Sequence, residues 1–401
     1  MNNTRRKYFN VFVVIITLFG LYSVVIPYFQ GGFYDLNHKF LTVFVAISAA
    51  LFLYVQGDKA SIKFIDVILL IILSGLSILF AGYLKLSYYT KWIIFVVSLI
   101  IYCIVISNIG MVSETTYKIV YLSSVFQLII HIIASFDSKY YISLRSGSYL
   151  ILAFDNKNSS AMQLLFLGSL FILFIKRFME KNKMKMVIIS FAMLMATVYL
   201  IYLTGSRSSL IPIICMIPFL FFGKLNKCIK PSIIIFAILF PLFFAVIYVV
   251  LYKAGYDDLM LFGRKIFNGR EELWINVFDG FPRKWFFGMF SDFISGDGRS
   301  PFQLHNGWVD MIASYGIIVT IMAVRLVYYI LNNLRKTEKS INYLVIICVL
   351  GLILQSTGEA ALMTGNRSIF VCLLFLFCER DSDDGSKKVA ENRKSNFGKS
   401  C

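Results

Sequence analysis

Histidine is scarce in this 401-residue chain, and its seven cysteines form no recognisable framework. The three histidines, His38, His131 and His305, stand in no HxxxH or HExxH pattern, so the sequence supports no zinc site. The cysteines include no CxxC pair, and most of them lie inside apolar runs, which is typical of small buried side chains and not of disulfides. We therefore expect neither a metal nor a cofactor.

The chain also lacks the polar composition of a soluble domain. Hydrophobic residues make up 58% of it and its mean hydropathy is +0.75, whereas soluble domains are about 45–50% apolar. Because so apolar a chain cannot bury its surface in a water-facing core, its solvent must be a lipid bilayer. Arg5, Arg6 and Lys7 precede an apolar run at 9–27 that no small-residue cleavage site follows, which predicts a first membrane helix and not a signal peptide.

Apolar runs follow one another along almost the whole chain. Crossing a bilayer takes about 20 residues of helix, and the runs predict about twelve transmembrane helices. They lie at about 9–27, 39–55, 64–82, 92–109, 118–135, 160–176, 186–203, 209–223, 231–252, 308–330, 342–356 and 366–378. We predict an all-α polytopic fold with a single membrane domain over residues 1–380. A large extracytoplasmic loop, 253–306, separates the ninth and tenth spans, and the charged segment 381–401 is predicted to be a disordered, basic cytoplasmic tail.

The basic residues predict how the chain is oriented. A net charge of +17 suggests nucleic acid at first sight, but the lysines and arginines concentrate in alternate short segments between the apolar runs. The positive-inside rule then predicts a multi-pass protein of the cytoplasmic membrane with both termini in the cytoplasm, and no nucleic-acid partner. The turn at 204–207, the loop 253–306 and the loop 357–367 would share the outer face.

His305 stands where the polar loop meets the tenth span. A histidine at such a seam can meet a lipid-borne substrate and a water-borne one together, and imidazole suits general-base catalysis near neutral pH. Asp310, five residues on, is a candidate for orienting nearby groups. The alternative interpretation is an interfacial histidine that caps the tenth span together with Asn306.

Two arginines are candidates for binding an anion. Arg207 lies in a Thr-Gly-Ser-Arg-Ser turn before an apolar run, where exposed amides at a helix N-terminus favour anions. Arg270 opens a predicted short helix in the long loop and could clamp a phosphate through two hydrogen bonds, with Arg264 adding positive potential. The alternatives are a snorkelling interfacial arginine and a solvated basic loop.

Three further polar residues are weaker candidates. Asn158 begins the sixth span, where helix capping explains an Asn–Ser cluster fully, although its donors could also bind sugar hydroxyls. Glu359 and Arg367 bracket the last outer loop.

These segments together resemble the O-antigen ligase/polymerase family of bacterial surface polysaccharide assembly, which includes the Wzy-type polymerases. The resemblance covers roughly residues 150 to 330. It is carried by Asn-Lys-Asn-x-x-Ala at 156–161, Thr-Gly-Ser-Arg-Ser at 204–208, Gly-Arg-x-x-x-Trp at 269–274, the large outer loop, His-Asn at 305–306 and Gly316.

The resemblance implies a substrate and roles for the residues. Family members act on undecaprenyl-pyrophosphate-linked glycans outside the cytoplasmic membrane. By resemblance, Arg207 and Arg270 would hold the pyrophosphate while His305 activates the acceptor hydroxyl, in a metal-independent, inverting glycosyl transfer. The implied partners are the lipid-linked glycans, the bilayer, and the flippase and chain-length regulator of the same pathway.

Several functions stay open at this point. A polymerase joins lipid-linked repeat units, whereas a ligase moves a finished glycan to another acceptor, and the motifs do not separate them. The Ile-, Lys-, Phe- and Asn-rich composition indicates an AT-rich genome, as in a Gram-positive host or an atypical surface-glycan cluster. Surface polymers of such hosts usually need a polymerase of this type, so the composition favours a polymerase. A glycan-lipid transporter or flippase is less favoured because charges near the bilayer midplane are nearly absent. A non-catalytic scaffold would leave Arg207, Arg270 and His305 freely replaceable.

Overall fold

The computed structural model of the chain is a helical assembly with two short hairpins. It describes residues 3–29, 64–80, 86–144, 147–153, 157–222, 229–256, 258, 260–261, 264–265, 270–279, 285–286, 288, 305–337, 339–357 and 371–379. The predicted span at 39–55, the predicted tail 381–401 and much of the loop 253–306 lie outside the described residues.

The helices follow one another closely along the chain. The described α-helices are α1 (Asn3–Phe29), α2 (Phe64–Phe80), α3 (Leu86–Ser107), α4 (Glu114–Ser135), α5 (Lys157–Glu180), α6 (Met184–Thr204), α7 (Arg207–Met216), α8 (Pro231–Lys253), α9 (Arg270–Asp279), α10 (Gly307–Lys336) and α11 (Ser340–Gln355). Short 3-10 helices occur at Ser138–Tyr140, Ile217–Leu220 and Cys372–Phe377. The antiparallel hairpins pair β1 (Tyr141–Leu144) with β2 (Gly147–Leu150), and β3 (Met260–Leu261) with β4 (Arg264–Lys265).

Six of the described helices are long and apolar enough to cross a membrane: α1, α4, α5, α6, α8 and α10. Shorter apolar helices occur at Asp66–Leu79, Trp92–Ser107, Arg207–Leu220 and Ser340–Gln355. An all-α membrane protein is therefore confirmed. Apart from 39–55, each predicted span overlaps a described helix, and 366–378 does so only through the 3-10 helix Cys372–Phe377. The total of twelve spans and the placement of the long loop remain predictions.

Helix α5 forms the interior of the bundle. In its most apolar window 94% of the residues are buried, against 28% for α6, which follows it in a tight hairpin. The neighbours of α5 include α6, α7 and α11. A helix that is apolar on all sides and covered on all sides belongs to the centre of a membrane bundle, so α5 is a central element, against which α7 and α11 pack directly.

Helix α10 is broken at Gly316. The apolar run 308–330 predicts one continuous span, but Gly316 has φ 86° and ψ 171°, outside helical geometry. The backbone N–H of Ile317 donates to the carbonyl oxygen of Trp285 (2.6 Å) instead of to its own helix. A Cβ at Gly316 would overlap the carbonyl oxygen of Phe286, so the break is where loop residues Trp285 and Phe286 cross the helix.

Gly316→Ala is expected to destabilise the protein and to detach the crossing loop. Backbone strain in this region costs about 1–3 kcal/mol, and the clash with Phe286 adds to it. Gly255→Ala is the matched control, because Gly255 has a similar φ of 81° and no atom lies within 4 Å of the position that a Cβ would take there. The thermal midpoint of the purified protein should fall clearly further for Gly316→Ala. Equal losses in both variants would show that the loop crossing contributes nothing.

Candidate functional site

His305 and Asn306 lie immediately before the first turn of α10. Asn306 is fully buried and caps α10, since its Oδ1 accepts from the backbone N–H of Val309 (3.2 Å). Its Nδ2 donates to the carbonyl oxygen of Pro241 in α8 (2.8 Å). His305 precedes this cap with φ 54°, a conformation uncommon for a residue other than glycine, and is half-buried. The capping residue fixes the backbone that presents the imidazole.

Helix α10 is also fixed to two neighbouring helices beside this cap. The indole Nε1 of Trp308 donates to the carbonyl oxygen of Ile238 in α8 (2.6 Å). The backbone N–H of Gly307 donates to the carbonyl oxygen of Ser356, just beyond the end of α11 (3.0 Å). Asp310, in the first turn, is half-buried, and its backbone N–H donates to the Asn306 carbonyl (2.8 Å). The start of α10 therefore lies in a rigid junction with α8 and α11.

Helix α9, which begins with Arg270, packs against α8 and α10. The helix predicted in the long loop is present, and Arg270 is its first residue, half-buried, with Glu271 and Glu272 in the first turn. One turn on, Trp274 is 1% exposed and belongs to an apolar cluster that includes Val309 of α10. Trp285 continues this packing, because its Nε1 donates to the Val277 carbonyl at the end of α9 (2.8 Å).

Arg207 begins α7 directly after a tight turn from α6. Gly205 ends α6 with φ 64°, and Ser206 precedes α7 in an extended conformation. The predicted turn with a helix starting close to Ser208 is therefore present, and Arg207 lies half-buried at the helix N-terminus. A Cβ at Gly205 would overlap the ring of Tyr149 in β2, so the hairpin β1–β2 packs on this turn.

A lysine that was not among the predicted site residues lies against the same hairpin. The Nζ of Lys157 is 4.1 Å from the ring centroid of Tyr149, and the same ring lies against the Arg207 turn. Asn158 follows in the first turn of α5 and is half-buried. In the sequence Lys157 is only part of the Asn-Lys-Asn stretch. Its placement on the same Tyr149 ring as the Arg207 turn depends on the hairpin β1–β2, which the sequence analysis did not predict.

Contacts at the other end of the bundle fix the direction of α11 relative to α5. Near the start of α11, the Asn342 side-chain amide donates a hydrogen bond to the Glu379 carbonyl oxygen and accepts one from the Glu379 backbone N–H. The Tyr117 hydroxyl donates to the carbonyl of Leu376, close to Glu379 in sequence, and Arg177, near the end of α5, stacks on the Tyr117 ring (3.5 Å). Helix α11 thus starts where α5 ends.

Since α11 packs on α5, α7, α8 and α10, its last residues reach the end where α5 and α7 begin. Ser356 meets Gly307 there. The start of α7 with Arg207 and the start of α10 just after His305 therefore lie toward the same end of the bundle, and α9 with Arg270 packs on α8 and α10.

Two buried polar side chains at this end were not predicted. Gln355 is fully buried, and neither atom of its amide has a hydrogen-bond partner among the described residues; the same holds for the hydroxyl of Ser209. Pro212 has no N–H to donate to the Ser208 carbonyl one turn earlier. Because buried polar atoms normally find partners, the side chains of Ser209 in α7 and Gln355 in the adjacent α11 are candidates for binding a ligand. In the sequence, only the position of the Gln355 amide at the end of an apolar run could have pointed to such a group.

The remaining predicted candidates are not brought to the site by the structure. Arg264 is described only through its backbone, in β4. Glu359 and Arg367 lie outside the described residues. Within the described part of the chain, no group of three or more His, Cys, Asp or Glu residues is placed to hold a metal ion.

The family comparison covers these elements. A family model described as O-antigen ligase matches residues 191–324, from α6 into α10. The match confirms the resemblance to the O-antigen ligase/polymerase family, and the matched range includes Arg207, Arg270 and His305. Lys157 and Asn158 lie outside the matched range. Searches among curated proteins and among solved structures found no match.

Proposed function

We propose that this protein is a glycosyltransferase that polymerises undecaprenyl-pyrophosphate-linked oligosaccharide repeat units into O-antigen or capsular polysaccharide. The reaction would take place at the outer face of the cytoplasmic membrane. The observation that carries the proposal is that the range matched by the O-antigen ligase family model holds one histidine and two arginines at or just before the starts of α7, α9 and α10, helices of one membrane bundle.

The arginines would hold the pyrophosphate of the donor lipid. Arg207 offers a guanidinium together with the N-terminal amides of α7, and both favour an anion. Arg270 offers a second guanidinium on α9, whose position is fixed by Trp274 packing against α10. As the bond between the anomeric carbon and the pyrophosphate breaks, negative charge grows on the leaving group, and prepositioned cations stabilise it.

His305 would act as the general base. Its imidazole takes the proton of the acceptor hydroxyl, whose oxygen attacks the anomeric carbon on the face opposite the pyrophosphate. One glycosidic C–O bond forms, the C–O bond to the pyrophosphate breaks, and undecaprenyl pyrophosphate leaves. Displacement from the opposite face inverts the anomeric configuration. The cation pair takes the role that a metal has in many other phosphate-leaving reactions, so we expect the transfer to be metal-independent.

The other residues of this end would position the reacting groups. Both ends of the Asn306 amide are engaged in holding α10, which suits a positioning role. Asp310 is a candidate for orienting His305, and Lys157, Asn158, Gln355 and Ser209 offer groups for sugar hydroxyls. Arg264, Glu359 and Arg367 stay predictions. The membrane domain would span residues 1–380, with the loop 253–306 supplying part of the site.

A ligase is the second candidate, because the matched family model, described as O-antigen ligase, is compatible with either reaction. Such an enzyme would use the same three residues to move a finished glycan onto a different acceptor. A transporter is disfavoured because charged residues are nearly absent from the middle of the predicted spans, whereas transport sites lie near the midplane. The polymerase is preferred on the composition of the chain.

The lipid-linked glycans of a deletion strain distinguish these functions. Loss of a polymerase should leave single repeat units on the lipid carrier and at the surface. Loss of a ligase should accumulate long lipid-linked polymer that never reaches its acceptor. Loss of a flippase should trap single units on the cytoplasmic side. Gel analysis of lipid-linked and surface material, with plasmid complementation by the wild-type chain, separates the three outcomes.

A further inference from the structure

A groove unconnected with the proposed catalytic site runs between the start of α1 and the start of α4. It has a volume of roughly 530 Å³, and its lining includes Arg6, Lys7, Val14 and Ile119. Its walls are held together by Asn10, whose Oδ1 accepts from the Ser113 backbone N–H and from the Thr116 hydroxyl, both at 2.7 Å. The groove is therefore formed by fixed elements and not by loosely placed side chains.

One end of the groove is cationic. Arg6 and Lys7 line it and are exposed, and no Asp or Glu is among the described lining residues. The first turn of α4 adds the positive end of a 22-residue helix. Glu114, the first residue of this turn, is paired with Arg177 near the end of α5 (2.5 Å) and with Lys181 just beyond it. The charge at this end therefore matches an anion.

The other end of the groove is apolar and lies along a candidate membrane span. Val11, Val14 and Ile15 of α1 form one wall, and Ile119 of α4 faces them. Val11 is 51% exposed although it lies within the candidate span Asn3–Tyr28. The distance from Asn3 to Ile15 along α1 is about 18 Å at the helical rise, which is enough for a phosphate group at one end and part of an acyl chain at the other.

We propose that this groove binds an anionic phospholipid, with the headgroup phosphate at Arg6 and Lys7 and an acyl chain along Val11, Val14 and Ile119. The site is independent of the glycosyl-transfer proposal. It would fix the start of α1 against α4, because the lipid contacts both helices.

The test uses the full-length chain purified in nonionic detergent with added phosphatidylglycerol or phosphatidylcholine. We expect phosphatidylglycerol, and not phosphatidylcholine, to raise the thermal midpoint and to remain as an adduct in native mass spectrometry. Arg6→Gln with Lys7→Gln should weaken phosphatidylglycerol binding by about tenfold or more. The matched control, Lys183→Gln with Lys185→Gln, removes two exposed charges from the α5–α6 hairpin and should bind as the wild type does.

Two further measurements keep the test decisive if the double variant loses stability. Lys7→Gln alone leaves intact the hydrogen bond that Arg6 Nε donates to the Met111 carbonyl oxygen (3.3 Å). This variant should still bind phosphatidylglycerol more weakly than the wild type. Val14→Trp fills the apolar end, keeps both charges and should also weaken binding. Full phosphatidylglycerol binding in these variants would overturn the proposal. An equal effect of soluble glycerol phosphate would overturn it too, since the site would then be specific for a headgroup anion without a lipid.

Discussion

His305→Ala is expected to leave only single-repeat polysaccharide in a strain that depends on this chain. Removing a general base costs about 10²–10⁴ in rate, which is enough to abolish a visible ladder. We expect His305 to be held in place for this role because it directly precedes the α10 cap, where Asn306 and Gly307 hold the backbone against α8 and α11. Surface polysaccharide on a gel, with membrane expression of the variant verified, gives the result.

The matched variant for this position is His305→Asn. His305 has φ 54°, and asparagine tolerates that conformation better than alanine does. If the imidazole acts as a base, His305→Asn should be as inactive as His305→Ala while its thermal midpoint stays near that of the wild type. Activity retained in His305→Asn but lost in His305→Ala would mean that position 305 matters for its backbone and not for proton transfer.

Arg207→Ala and Arg270→Ala are each expected to lower kcat/KM by about 10²–10³, the cost of losing one prepositioned group that stabilises growing charge. Arginine binds a phosphate through a planar pair of N–H groups, which lysine cannot reproduce. Arg207→Lys and Arg270→Lys should therefore recover only part of the activity. Initial rates of polymer formation in membranes, normalised to the amount of protein, measure both effects.

Arg325→Ala is the control for these arginine variants. Arg325 is exposed on α10, about five turns beyond the start of the helix, so its replacement removes the same charge far from the site. Wild-type activity is expected for it. If Arg207→Ala or Arg270→Ala also kept wild-type activity, that arginine would not bind the pyrophosphate, and the interpretation as an interfacial or solvated arginine would hold for it.

Local signals in the sequence predicted the elements that carry the site. The Thr-Gly-Ser-Arg stretch predicts a tight turn because Gly205 can adopt the positive φ that ends α6. The acids after Arg270 predict the start of a short helix, and α9 begins at that arginine. Such features depend on residues close in sequence, so a single chain is enough to reveal them.

Features that depend on distant contacts were not predictable. The break in α10 exists because Trp285 and Phe286 cross the helix at Gly316, and an apolar run gives no sign of that crossing. Hydropathy did not reveal the interior helix either. Helix α5 has the lower hydropathy, 1.7 against 3.0 for α8, yet 94% of its window is buried against 39%. Lipid tails are as apolar as a protein core, so hydropathy cannot separate the two environments.

The most direct test of the central claim uses purified protein in liposomes with an undecaprenyl-pyrophosphate-linked repeat unit as the only sugar substrate. We expect wild-type protein to produce a ladder of lipid-linked oligomers that lengthens by one repeat at a time, and His305→Asn to produce none. Wild-type protein that leaves the repeat unit unextended, but transfers it once a different acceptor is added, would contradict polymerisation and establish a ligase.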